Sequence, residues 1–264
     1  MTEINAELVR ELRARTGAGM MDCKRALVET DGDLEAAQKL LREQGMAEAE
    51  KRAERRTTEG VVLTRIENKH GAIVAVACET EPVSQNDEFA AFAERVLDAV
   101  ESDGPEAAER LDGERIELVA KLGENIEIRD VARLEATNGE TLADYVHPPA
   151  RKLGVLVRAK ASPELARMLA MHIAASPHTA YLTRDDVPAE TVEAERRIYE
   201  KLPDVESKPE DIRPKIIEGM LAKRLFADTV LLDQPWVHDP SLTVGKALAE
   251  HDAEVREFVR QSVA

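Results

Sequence analysis

The chain has 264 residues, longer than the roughly 150 of a typical domain, so two or three compact units are expected. A hydrophobic fraction of 43% supports real cores, but aromatics are only 3%, which makes those cores aliphatic and alanine-rich. The formal charge of −16 repels nucleic acid and anionic membrane alike and leaves a protein as the favoured kind of partner.

Charge is nearly balanced over residues 1–56, so almost all of the acidity falls on the remainder and the amino-terminal piece has a separate task. Cys23 and Cys78 are too few and too far apart for a disulfide framework or a zinc site. The opening "MTEINAELVREL" lacks the pattern of a signal peptide, and no run approaches the roughly 20 apolar residues of a membrane span. A cytoplasmic, reduced protein is the expectation.

Ile4, Leu8 and Leu12, with Val9 beside them, make one apolar helical face that Gly17 and Gly19 end. A second short helix is predicted from about Asp22, and a third from Asp33 with Gly45 as its stop. Residues 1–46 thus read as a three-helix unit. Residues 47–59 read as a solvated helical linker, because "AEAEKRAERRT" favours helix but has almost nothing to bury.

From Gly60 the apolar period changes to two, which predicts a strand, a turn at 68–71 and a second strand. A helix follows, with Phe89, Phe92, Ala93, Val96, Leu97 and Val100 on one face, then a helix over 115–122 and a strand, "IEIRDVARLEA". The order recurs: strand, turn and strand in "TLADYVHPPARKLGVLVRAKA", a helix in "PELARMLAMHIAAS", and a final helix, turn and strand from Val244. The pattern predicts an α+β fold with core subdomains at 60–138 and 139–264. Residues 185–235 interrupt the second as an insertion, a stubby antiparallel helical hairpin kept short by Pro203, Pro209 and Pro214.

Reactive chemistry finds little support. "TGAG" lacks the length of a phosphate-cradling fingerprint, and nothing resembles the strained Gly-x-Ser-x-Gly turn of a nucleophile. His70, His147, His172, His178, His238 and His251 show no metal-ligand spacing, and His172, on a face with Leu165, Leu169 and Ile173, reads as a satisfied core or interface histidine. No cofactor, nucleotide or metal is implied. An enzyme with an acidic cleft has only scattered carboxylates to recommend it.

Surface presentation remains. Met20 and Met21 lie about 100° apart on a helix and cannot both enter a bundle this small, so one is expected to be exposed, where a flexible thioether suits a partner. The connection "ETEPVSQNDEF" is stiffened by Pro82, and Ser84 or Asn86 can cap the helix that follows.

The stretches "LVRELRARTGAGMMDCKRAL", "ACETEPVSQNDEFAAFAERV", "KLGENIEIRDVARLE", "MHIAAS", "VLLDQPWV" and "AEVREFVR" occur in order over nearly the whole chain and closely resemble bacterial translation elongation factor Ts. The resemblance implies a guanine nucleotide exchange factor of elongation factor Tu that acts without covalent or acid-base chemistry. It also implies an amino-terminal three-helix domain similar to ubiquitin-associated domains, a core of two related α+β subdomains and the helical hairpin, through which a homodimer is conceivable. By the same resemblance Arg13, Met20 and Met21 dock on the GTP-binding domain of the partner; Leu122, Gly123, Glu124 and Asn125 of "KLGEN", with His147, are expected to add to the docking surface.

The loop Thr80, Glu81, Pro82, Val83, Ser84 and Gln85 corresponds to the family's magnesium-dislocation loop, ordinarily Thr-Asp-Phe-Val-Ala-Lys followed by Asn. There the phenylalanine wedges between partner helices. Here Pro82 replaces it, which raises a second reading: a binding, chaperone-like partner of elongation factor Tu with weak exchange. The chain also ends in Phe258, Val259, Arg260, Gln261, Ser262 and Val263 where the family usually has Phe-Val-Arg-Phe-Glu-Val, a loss of apolar surface expected to loosen the last strand.

Overall fold

The computed structural model describes residues 4–263 and is mixed helix and sheet. Three helices come first: α1 (Ala6–Thr16), α2 (Met20–Glu29) and α3 (Leu34–Arg52). Asn5 caps α1 through Oδ1 and Asp33 caps α3 in the same way, each accepting from two backbone N–H groups of the first turn. Val9, Leu12, Cys23, Ala26, Leu27 and Ala37 fill the small core between them.

Two expectations fail here for physical reasons. Helix α2 starts at Met20, two residues before Asp22, with Gly19 (φ −59°, ψ 145°) as its N-cap residue, so both methionines lie in its first turn. Helix α3 does not stop at Gly45 but runs on to Arg52, so the solvated helical linker expected over 47–59 is not a separate helix. Gly45 lies at a helix crossing instead of a helix end: a Cβ there would sit 3.2 Å from the Cβ of Ala120 in α6 (Asp112–Leu122). The continuation also has something to bury, since Ala49 joins the main core and Arg52 Nη1 donates to the Val119 carbonyl at 3.3 Å.

Strands β1 (Glu59–Glu67), β2 (His70–Cys78) and β3 (Ile126–Glu135) form one antiparallel sheet in that order, with α5 (Asp87–Asp103) and α6 between β2 and β3. A second sheet is built the same way from β4 (Thr141–Val146), β5 (Leu153–Lys160) and β8 (Glu254–Ser262), with α7 (Pro163–Ala175) and α12 (Val244–Glu250) between β5 and β8. Each sheet carries a bulge in its last strand, at Arg129 opposite Ala75 and Val76, and at Arg256 opposite Arg158 and Ala159.

The core lies on both faces of β2. Ala72, Val74, Val76 and Cys78 face α5, which buries the six apolar residues its period predicts. Ile73, Ala75 and Ala77 alternate with them and pack against Leu156 of the second sheet. Val155, Val157 and Ala159 of β5 face α7 in turn, so the layers run helix, sheet, sheet, helix.

The insertion holds α8 (Ala189–Glu200), α9 (Pro203–Glu206), α10 (Arg213–Met220), a π-helical turn over Leu221–Phe226 and α11 (Ala227–Thr229). Its arms share Tyr199, Ile217, Leu221 and Phe226, and Arg196 Nη1 meets Glu218 Oε1 at 2.6 Å. Pro203 and Pro214 stand in the first turns of α9 and α10, where a missing N–H costs nothing. The short β6 (Pro235–Trp236) and β7 (Asp239–Thr243) lead on to α12.

At the carboxyl end Gln261 is 2% exposed, beside Val259 and Val263 of the inter-sheet core, and neither amide atom finds a partner among the described residues. An unpaired buried polar group costs roughly 1–3 kcal/mol. Gln261→Leu is expected to raise stability by about 1–2 kcal/mol, read as a rise of a few degrees in Tm by calorimetry; an unchanged or lower Tm would count against an unpaired amide.

Candidate functional site

The antiparallel register decides which loops meet. Cys78 stands opposite both Glu59 and Ile126, so the chain entering β1, the chain leaving β2 and the turn entering β3 lie at one end of the first sheet. The β4–β5 turn joins them, because the Val62 N–H donates to the Arg151 carbonyl at 2.6 Å. Residues 53–58, 79–86, 122–125 and 147–152 therefore share one end of the paired sheets.

The segment after β2 is not an open loop. It contains α4 (Glu81–Ser84), a single helical turn with Thr80 at its N-cap and Pro82 in its first turn. Pro82 is exposed, whereas Val83 packs on the core, so the turn has an anchored side and a free side. Ser84 Oγ donates to the Glu81 carbonyl at 2.8 Å, and Gln85 Nε2 donates to Glu81 Oε1 at 3.0 Å. Asn86, rather than Ser84, caps α5.

Beneath the turn two carboxylates face opposite ways across the sheet end. Glu124 accepts from the Thr80 N–H at 3.0 Å and from Thr80 Oγ1 at 2.5 Å, while Glu79 Oε1 accepts from the Asn125 N–H at 2.6 Å. Asn125 is 4% exposed, and its Nδ2 donates to the Arg55 carbonyl at 3.0 Å. Gly123 takes the left-handed conformation that ends α6, and Leu122 packs partly on the core. In this turn Gly123 is the exposed residue, and Asn125 is directed into the chain. Sequence reasoning missed Glu79, whose partner lies 46 residues away and leaves no local signal.

His147 is exposed at the β4–β5 turn, with Nδ1 at 3.0 Å from the Tyr145 hydroxyl. A cavity of about 240 Å³ between this turn and α4 is lined by Glu59, Glu81, Ser84, Gln85, Arg151 and Lys152, and Lys152 Nζ meets Glu59 Oε2 at 2.5 Å.

Met20 and Met21 are 56% and 64% exposed, so both thioethers, not one, face solvent. They occupy the first two positions of α2, with Lys24, Arg25 and Val28 exposed further along it. Arg13 is also exposed, on the last turn of α1, and makes no ion pair among the described residues. This group is coupled to the sheet end through α6. Lys121 passes over Gly17, where a Cβ would come within 3.1 Å of its stem, and its Nζ meets Glu88 at 2.5 Å. A groove of about 360 Å³ along the seam is lined by Arg15, Leu41, Met46 and Ile116 among others.

Elsewhere the chemistry is quiet. Among the described residues no group of three or more His, Cys, Asp or Glu is placed to hold a metal ion, and no helix is long and apolar enough to cross a membrane. Both cysteines are buried and unpaired, and burial pushes the Cys78 thiol up to about 12. His172 is a core histidine, 1% exposed: its Nδ1 accepts from the Val237 N–H at 3.2 Å, so Nε2 carries the proton toward Gln234 Oε1 at 2.9 Å.

A family model described as Elongation factor TS matches residues 79–264. Elongation factor Ts of Cronobacter sakazakii and that of Escherichia coli (strain K12 / DH10B) are each 44% identical to the chain over 268 aligned positions, covering 100% of it and 92% of the relative. That of Serratia proteamaculans is 43% identical over the same shares. The chain belongs to the elongation factor Ts family. Membership places it in translation elongation, as an elongation factor of protein biosynthesis. The relatives align through the three amino-terminal helices as well, which the family model does not reach.

Burial lowers the His172 pKa against the Gln234 hydrogen bond, which raises it, and His238 adds to the lowering. The unfolded chain takes up a proton near the ordinary value of about 6.5 that the folded chain refuses, so stability is full above that pH and is lost as pH falls below it. His172→Gln is expected to flatten the fall of Tm between about pH 6.5 and 5, as seen in thermal melts across that window; a slope equal to the parent's would contradict the assignment.

Proposed function

We propose that the chain is a guanine nucleotide exchange factor that binds elongation factor Tu carrying GDP, disturbs its magnesium and phosphate contacts and promotes release of the nucleotide. The observation that supports this most is the helical turn at 81–84, held from below by Glu124 and Val83 and free on its Pro82 side. A wedge must be stiffer than what it displaces, and this turn is anchored at both its cap and its core side.

In this reading Arg13, Met20 and Met21 dock the three-helix unit, residues 1–46, on the GTP-binding domain of the partner. Exposed thioethers bury well against an irregular apolar surface, and the arginine adds charge beside the phosphates. Gly123 and His147, both exposed, extend the contact from the core of residues 60–138 and 139–264, while Leu122 and Asn125, packed inward, hold the turn that carries Gly123 and Glu124. Thr80, Glu81, Pro82, Val83, Ser84 and Gln85 form the segment that presses on the nucleotide site. No bond chemistry is needed: a factor that prefers the empty partner weakens nucleotide binding by the same ratio, because the two equilibria are linked. The work is done in the cytoplasm, where elongation takes place.

Burial of both thioethers is worth about 1.5 kcal/mol each, so Met20→Ala with Met21→Ala is expected to weaken binding to elongation factor Tu on the order of a hundredfold in calorimetric titration. Binding unchanged by that pair of substitutions would remove the docking assignment. Because Pro82 is exposed, Pro82→Phe is accommodated without touching the core and supplies the missing ring. Stopped-flow release of fluorescent GDP should then accelerate by roughly tenfold to a hundredfold; an unaltered rate would show that the wedge lies elsewhere.

A further inference from the structure

We infer that Glu124 is a positioning residue: it sets the direction of the 81–84 turn through Thr80 and controls the rate of nucleotide release rather than affinity for the partner. This rests on the exchange reading above and assigns one part of that site a distinct role.

The geometry carries it. Thr80 is the N-cap of the turn, yet its hydroxyl caps nothing within it. The hydroxyl donates to Glu124 Oε1 at 2.5 Å, and the Thr80 backbone N–H donates to Glu124 Oε2 at 3.0 Å. One carboxylate thus holds both donors of a single residue, which fixes the residue in orientation as well as place, and charge-assisted bonds of this kind are short and strong. Thr80 is the last extended residue before the turn, so a rotation there swings Glu81, Pro82 and Ser84 together.

Glu124 is itself immobilised. It lies between Gly123, whose left-handed backbone ends α6, and Asn125, whose N–H is held by Glu79 and whose amide is bonded to the Arg55 carbonyl. The two carboxylates make a reciprocal clasp across the β2–β3 pair, Glu79 reaching to Asn125 and Glu124 reaching back to Thr80. Both oxygens of Glu124 are engaged within the chain, so a partner that took them would release the turn.

The test is a double-mutant cycle on the full chain, read by stopped-flow release of fluorescent GDP from elongation factor Tu over a range of factor concentrations. Glu124→Gln keeps the volume but leaves a single acceptor oxygen; Thr80→Val removes the hydroxyl at constant shape; Thr80→Ser retains it. Each single loss should lower the limiting release rate about tenfold, the scale of one lost hydrogen bond to a charged group, while the half-saturating concentration stays within about twofold. The double variant Glu124→Gln with Thr80→Val should be no slower than either single one, and Thr80→Ser should remain near the parent. Melts confirm that each variant is folded. Multiplying losses in the double variant, a raised half-saturating concentration at unchanged limiting rate, or no effect of Glu124→Gln would each overturn the proposal while leaving exchange by the parent chain intact. A parent chain that binds the partner but does not speed release would instead remove the exchange reading, and this inference with it.

Discussion

The structure depends first on the contact between its two sheets. Val62, Ile73 and Leu156 are fully buried between them, and such side chains contribute about 1.5–3 kcal/mol each on leaving water. Close approach is possible because β5 presents Gly154 to the first sheet: a Cβ there would lie 2.5 Å from Val62 Cγ1. With a side chain at that point the sheets would separate and the cores on their outer faces would no longer share a frame. The same contact brings the β4–β5 turn to the end of β1 and β2, so the meeting of four loops at one end of the molecule follows from it.

A second, smaller seam fixes the amino-terminal helices. Helix α3 crosses α6 where Gly45 meets Ala120, and Lys121 lies over Gly17 while pairing with Glu88 of α5. The exposed methionines and the turn at 81–84 are therefore carried on elements that share contacts with one helix, α6.

Buried polar groups show the two outcomes open to them. His172 and Gln234 sit in a closed network, Gln234 Nε2 donating to the Asp228 carbonyl at 2.8 Å and to Thr179 Oγ1 at 2.8 Å; the Val237 N–H on Nδ1 fixes the tautomer of His172 and burial lowers its pKa. Gln261, in the inter-sheet core, has no such network. Its position is one where an apolar residue would fill the same space, and the strand holds because its neighbours Val259 and Val263 supply the burial.

The local elements were legible in the sequence where one period dominated. The helix burying Phe89 through Val100 and the two hairpins follow from spacing alone, since a side chain's face is set by its place in the repeat. The motifs in order carried the family, and the methionines' position after the glycine turn marked one of them as a surface residue where the structure exposes both. What spacing does not encode is the meeting of distant segments. Gly45 reads as a stop by its local chemistry, and only the helix crossing it explains why α3 continues; residues 81–84 read as a loop until the clasp at Thr80 is seen. Sequence by itself determined the helices and strands in which a single apolar period dominates; tertiary structure alone decided that Glu124 belongs to Thr80 and Glu79 to Asn125, because hydrogen bonds across 44 and 46 residues are set by sheet register and not by neighbours along the chain.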